Sequence, residues 1–338
     1  MSELVQLGAN ENLLGPSPMA VEAIKNTTLE ANLYPTDHDQ MLVEKLIARI
    51  DPHLAVDNFV LGHGSGDVLR AIAQTYILPE SEVVVPMPTF AAYKRLTKLH
   101  RGQLVPVPLN NYQVDLTAVL SAITLQTALI FICNPNNPTG QIITHEQMAA
   151  FLPKVPEHVV VVVDEAYIDF VDDPAFPRMT EFVAAGYNLI VTRTFSKVYG
   201  LASLRIGYGF GSLPAIMPVQ NGRNKFEIGR LAYAGAAAAL NDEEHVVNTI
   251  EMVRQGREYF YKELSRLGIS YIPSQGFFLL IKDLPVAAPQ MVEAVLAKGV
   301  IIRHMDIFDM PDYIRISIGR PEDNAKAIEA LAQVLQEI

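Results

Sequence analysis

The chain has one cysteine, Cys133, in 338 residues, so it cannot form an internal disulfide. Positive charge is scarce: 26 Lys and Arg stand against 37 Asp and Glu, a formal net charge of −11. That balance excludes a general nucleic-acid binder, because a phosphate backbone asks for a basic surface. It leaves room for a small anion held by two or three arginines. No apolar run approaches the roughly 18 residues of a membrane span. No internal repeat, low-complexity tract or charge run interrupts the chain. The opening "MSELVQLGANENLLGPSP" has no basic segment followed by an apolar one, so no secretion signal is expected. Together these absences lead us to expect a reduced, cytoplasmic, soluble protein. Two more narrow the chemistry. "GHGSGDVL" (Gly62–Leu69) spaces its glycines as GxGxG, with no acidic residue after a following strand, which excludes a dinucleotide fingerprint. His63, His100 and His145 lack metal-ligand spacing, so no metal is expected.

What is present is ample apolar material. Half the residues are hydrophobic, enough for a sizeable core and two domains. Short apolar or β-branched runs recur in "SEVVVPMPT", "TALIFICNPNNPTG", "HVVVVVDEAY" and "YNLIVTRTFSK". Val159 to Val163 are apolar on both faces, which is how a strand inside a parallel sheet reads. Helical patterns such as "HEQMAAFL" lie between the runs, predicting an α/β large domain whose mostly parallel sheet is flanked by helices. From about Leu231 the texture changes. A long helix is expected from about Asp242 to Gly268. Then come strands at "GFFLLIKD", "VIIRHM" and "YIRISIG", a helix at "APQMVEAVLAKG", and a last helix from Pro321. This reads as a smaller α+β domain. We expect residues 30–235 to form the large domain, with 1–29 and 236–338 forming the small one and a segment that covers the substrate.

Polar residues cluster where three strands end: "NPNNPTG", "DEAY" and "TRTFSK". In an open parallel sheet, ligands bind beyond those carboxyl ends. Any one cluster reads as a solvated loop; three at one sheet edge favour a site. The set suits pyridoxal 5'-phosphate, which needs a lysine for its aldehyde, an acid for its ring nitrogen, donors to its phenolate and a phosphate cup. Lys197 can be the lysine, Asp164 the acid, and Asn137 and Tyr167 the phenolate donors. Thr194, Ser196 and Arg205 can hold the phosphate, joined by the free N–H groups of Ser65 and Gly66 at a helix start.

These motifs resemble the aspartate-aminotransferase-like, fold type I pyridoxal phosphate enzymes. The similarity runs through "ANENLLGPSP", "LYPTDHD", "LGHGSGDVL", "PMPTFAAY", "NPNNPTG", "DEAYIDF", "TRTFSKVYGLASLRIGY", "GFFLLI" and "YIRISIG". Among them, the chain looks most like the histidinol-phosphate aminotransferases. The resemblance implies transamination between histidinol phosphate and 2-oxoglutarate, with Lys197 moving the proton. It implies that Phe90 stacks on the cofactor, and that Arg315 and Arg303 bind the substrate anion. Asn10 and Glu11 would belong to the covering segment. Tyr34 would reach the cofactor phosphate of a neighbouring subunit, which implies a homodimer with composite sites. Two departures bear on substrate rather than cofactor. A substrate-facing tyrosine ahead of "ANEN" is missing, and "RNKFEIG" (Arg223–Gly229) stands where the family has a segment resembling "PYNVN". Other readings are an aromatic or other amino acid aminotransferase, a decarboxylase acting on a phosphorylated amino acid, and a non-catalytic cofactor binder. The intact set of Lys197, Asp164, Asn137, Tyr167 and Arg205 speaks against the last.

Overall fold

The apolar runs form the centre of a seven-stranded sheet. A computed structural model describes residues 4–224 and 226–337. Residues 1–3 and 338 of the expected small domain, and Lys225 of the Arg223–Gly229 segment, lie outside the described residues. In chain order the strands are β1 (Val5–Gln6), β2 (Phe59–Gly62), β3 (Glu82–Met87), β4 (Gln103–Pro108), β5 (Thr127–Cys133), β6 (Val160–Asp164) and β7 (Leu189–Thr194). They continue with β8 (Gly207–Gly211), β9 (Ser270–Ile272), β10 (Phe278–Lys282), β11 (Val300–Ile301), β12 (Arg303–His304) and β13 (Ile314–Ser317).

The large sheet has the order β2-β8-β7-β6-β5-β3-β4, and only β8 runs against the others. Its side chains alternate between two apolar layers, as the period of two requires. Val161, Val163, Ile130 and Ile132 pack with Met148 and Phe151 of helix 145–151. Val160, Val162, Leu129 and Phe131 pack on the other face with Leu69 and Ile72 of helix 65–76 and Tyr93 and Leu96 of helix 92–99. Burial on both faces explains the unbroken valine run.

A four-stranded antiparallel sheet, β12-β13-β10-β9, forms a second layer near the end of the chain. Helix 243–266 and helix 321–337 pack together, and Asp242 caps the first by accepting from the His245 N–H. "VIIRHM" does not form one strand. β11 pairs in parallel with β1, whereas β12 pairs with β13. The N-terminal segment is thereby stitched to the small sheet: Leu7 O accepts from Ser317 N at 2.8 Å. Lys94 of helix 92–99 pairs with Asp309, in the link between β12 and β13, at 2.9 Å, and the hydroxyls of Tyr112, after β4, and Tyr313, before β13, lie 3.1 Å apart. No described helix is long and apolar enough to cross a membrane.

Candidate active site

β5, β6 and β7 end side by side. Cys133 lies opposite Asp164, and Asp164 opposite Thr192. Just beyond them is a cavity of about 460 Å³. Its lining includes Ser65, Gly66, Phe90, Asn137, Asp164, Tyr167, Thr194, Ser196, Lys197 and Arg205, together with Asn10, Glu11, Arg303 and Arg315. Every site residue expected from the sequence is therefore in one cavity, with one exception. Tyr34 lies outside it, 75 % exposed, with its ring 5.5 Å from that of Phe226. A larger cavity of about 610 Å³ lies at the opposite, N-terminal edge of β6 and β7 and gathers none of these groups.

Alternation along β6 sorts its acids. Asp164 ends the strand and is fully buried, with Tyr93 Oη donating to its Oδ2 at 2.9 Å. Its Oδ1 has no partner among the described residues. Glu165 accepts from Arg193 Nε at 2.8 Å. Burial pushes the Asp164 carboxyl up, and the Tyr93 hydroxyl opposes that rise.

Lys197 follows β7. Its Nζ donates to Asn10 O at 2.7 Å and lies 5.6 Å from the centre of the Tyr167 ring. Burial, then the Arg315 guanidinium, pulls its pKa down to about 8. An amine in that range gives up its proton far more readily near neutrality than an ordinary lysine, which favours nucleophilic or base chemistry. Tyr167 Oη accepts from Asn137 Nδ2 at 3.3 Å and Asn10 Nδ2 at 3.1 Å. Burial pushes the Tyr167 phenol up to about 12.

The other end of the cavity is an anion cradle. Helix 65–76 opens there, and its first N–H groups have no acceptor within the helix. Thr194 Oγ1 and Ser196 Oγ lie 2.9 Å apart beside it. Arg205 adopts the left-handed region, with φ 51°, uncommon for a residue with a Cβ and a mark of local strain. Its guanidinium crosses Gly64, φ 75°, where a Cβ would meet Nη2 at 2.7 Å. Glycine adopts that φ without strain and leaves the guanidinium in place.

The small sheet supplies the opposite wall. Arg315 is 5 % exposed; its Nη1 donates to Asn137 Oδ1 at 2.7 Å and its Nη2 to Gly8 O at 3.1 Å. Phe278 and Phe308 flank its guanidinium at 5.4 and 5.8 Å. Burial, opposed by Tyr167 and helped by the Arg303 charge, lowers the Arg315 pKa to about 10. Arg303 is the direct cross-strand partner of Arg315, and no described carboxylate pairs with it.

Sequence reasoning missed several lining or supporting groups, Ile307 and Phe308 among them. Tyr93 and Phe277 stood inside quoted motifs without a role, yet Tyr93 holds Asp164 and Phe277 lies 5.7 Å from Lys197 Nζ. The signal for Tyr93 was its place one helical turn after Phe90. Cys133, the buried last residue of β5, also lines the cavity.

Residues 2–331 match the family model for aminotransferase class I and II. A histidinol-phosphate aminotransferase of Moorella thermoacetica is 39% identical over 336 residues, covering 99% of this chain and 86% of that protein. One from Akkermansia muciniphila is 41% identical, covering 98% and 90%. Among solved structures, histidinol-phosphate aminotransferase from Sinorhizobium meliloti, in complex with pyridoxal-5'-phosphate, superposes with a TM-score of 0.90. It is 26% identical and covers 99% of this chain and 92% of that one.

Proposed function

The chain belongs to the class I and II aminotransferases, and on that premise we propose that it moves the amino group of histidinol phosphate to 2-oxoglutarate, using pyridoxal 5'-phosphate. The cavity fits that cofactor on its own evidence. Among the described residues the buried Asp164 Oδ1 has no partner, as an acceptor reserved for a ring N–H would. The cradle at Gly64, Ser65 and Arg205 offers N–H groups and a guanidinium where a phosphate needs them. Ser65, Gly66, Thr194, Ser196 and Arg205 would hold the phosphate, Asn137 and Tyr167 the phenolate oxygen, Asp164 the ring nitrogen, and Phe90 one face of the ring. When bound, the cofactor supplies the carbon that bonds the amine and a ring that draws electrons from the substrate Cα.

The residues of the chain do the rest. Lys197 Nζ takes the proton from the substrate Cα and later returns one, as general base and then acid. Its lowered pKa suits both roles. The Arg315 guanidinium, already fixed by Asn137 and Gly8, orients the anionic end of the substrate. Asn10, backed by Ser317 at 2.8 Å, helps to close the cavity over the substrate.

The observation that carries the substrate assignment is the pair Arg303 and Arg315, like charges directly opposite on β12 and β13. Such a pair is unfavourable until an anion arrives. A phosphate in the donor and a carboxylate in the acceptor can each fill it, so one pocket serves both halves of the reaction. We assign residues 30–235 to the large cofactor-binding domain, and residues 1–29 and 236–338 to the small domain, whose N-terminal segment covers the substrate. The test is a panel of amino donors with product analysis. Histidinol phosphate with 2-oxoglutarate should give glutamate and a keto phosphate. Carbon dioxide from a phosphorylated amino acid, or preference for an aromatic donor, would overturn the assignment.

A homodimer is part of the proposal. Exposed apolar side chains gather at Leu29, Leu33, Tyr34 and Met41, outside the cavity of their own chain. Tyr34 would reach the cofactor phosphate of a second copy. A Lys197→Ala chain mixed with a disabled Tyr34 variant should then regain activity on subunit exchange, because one site of the mixed dimer carries neither lesion. Activity that stays at the sum of the parents, with exchange demonstrated, places Tyr34 in its own chain's service.

A further inference from the structure

Resting on the cofactor reading above, we propose that Tyr93 is a positioning residue whose hydroxyl fixes the Asp164 carboxylate, so that Oδ2 is held by the protein and Oδ1 is kept for the cofactor ring. Tyr93 has no exposed surface. Its Oη donates to Asp164 Oδ2 at 2.9 Å, and Oδ1 is the oxygen left without a partner among the described residues. The ring is clamped as well. It stacks on Phe131 of β5 at 4.8 Å and 4°, and meets Phe90 edge-on at 5.7 Å and 88°. One side chain thus touches both groups that would bracket the cofactor ring, its acid and its covering face.

The chemistry favours a phenol at this position. A lysine or arginine would also bond Oδ2, but it would cancel the negative charge that the ring nitrogen needs. A phenol donates a hydrogen bond and adds no charge. Nor is the contact merely the way a buried hydroxyl finds an acceptor. Tyr76 does that with a backbone carbonyl, Ala215 O, at 2.6 Å. Tyr93 instead faces a buried carboxylate, where the bond is charge-assisted. Of the groups that oppose the effect of burial on Asp164 the Tyr93 hydroxyl comes first, ahead of Thr192, the Ala166 N–H and the Lys197 charge, so its loss shifts the balance toward the neutral acid.

The experiment compares wild type, Tyr93→Phe, Asp164→Ala and the double variant, each freed of cofactor and titrated with pyridoxal 5'-phosphate. Phenylalanine keeps the ring and removes only the hydroxyl. The dissociation constant should rise about tenfold in Tyr93→Phe and by less than about twofold when the same change is made in Asp164→Ala. A second readout needs no cofactor. The stability lost in apo Tyr93→Phe should be greatest where Asp164 is ionised and shrink as pH falls and the carboxyl takes its proton. In Asp164→Ala, or in Asp164→Asn if the alanine variant does not fold, that pH dependence should vanish. Equal affinity in wild type and Tyr93→Phe overturns the proposal, as does the same loss in both backgrounds, which would make Tyr93 a packing residue. A wild-type apoprotein that takes up no pyridoxal 5'-phosphate sinks the cofactor reading, and this inference with it.

Discussion

The two walls of the cavity are built on opposite electrostatic plans. On the seven-stranded side, unlike groups neutralise or satisfy each other. Asp164 is held by Tyr93, Lys197 by a carbonyl, and Tyr167 by two amides. On the four-stranded side, two guanidiniums face each other across a ladder and one of them is buried. The first wall leaves open only the groups that face the cofactor, Asp164 Oδ1 and the first N–H groups of helix 65–76, and needs no substrate to balance it. The second is unbalanced until an anion enters. A site that keeps one reagent and exchanges two substrates needs that division: a satisfied holder and an unsatisfied clamp.

Breaking the holder should cost most. Lys197→Ala should cut turnover more than about 10³-fold, because it removes both nucleophile and base. Circular dichroism should show an unchanged fold. A purified variant that transaminates near the wild-type rate would refute the assignment.

The clamp should fail in a graded way. Arg315→Met should lower kcat/KM for donor and acceptor alike by roughly 10²-fold, in keeping with the loss of charge-assisted bonds. Loss for one substrate only would mean that the two do not share the guanidinium. Arg303→Met should be milder, about tenfold, since this arginine is exposed and its charge is screened. Its effect should be larger for the phosphate donor than for the oxo acid. Steady-state kinetics with each substrate varied separately will separate the two cases.

The smallest effect is one of pH. Lys197 titrates near 8 in the fold and at the ordinary 10.5 when unfolded. Between these values the unfolded chain binds the extra proton, so the contribution of this lysine to stability rises with pH across that window. Denaturant titrations of apoprotein should show the rise, and Lys197→Met should lack it. A wild-type difference that falls with pH would contradict the assignment of the lowered pKa.

The holder was far more legible in the sequence than the clamp. Asp164 ends a strand, Tyr167, Asn137 and Lys197 each follow one within a few residues, and parallel strands bring those ends to one edge whatever the loops do. Arg303 and Arg315 meet only through antiparallel register, which depends on where a run is interrupted. "VIIRHM" carries no visible break, yet its first half pairs with the N-terminal segment and its second with β13. The reversed strand β8 was equally silent, because strand direction is a property of connections and leaves no mark on "GYGFG". Tyr93 was hidden for a different reason. Its side chain reaches a residue 71 positions away, and only the assembled layer of helix 92–99 against β6 brings them together.

The hydrogen bonds of Asn10 also set a timetable. Its carbonyl accepts from Lys197, and its N–H and side chain are tied to Ser317. During synthesis the residues of the large sheet emerge well before β13. At about 5–20 residues per second, the stretch from Lys197 to Ser317 takes on the order of ten seconds to make. Through that interval the nascent chain carries a lysine and an anion cradle but no finished wall opposite them. The catalytic chamber closes only when nearly the last strand has left the ribosome, so an incomplete chain has no closed chamber in which to act on a passing amine.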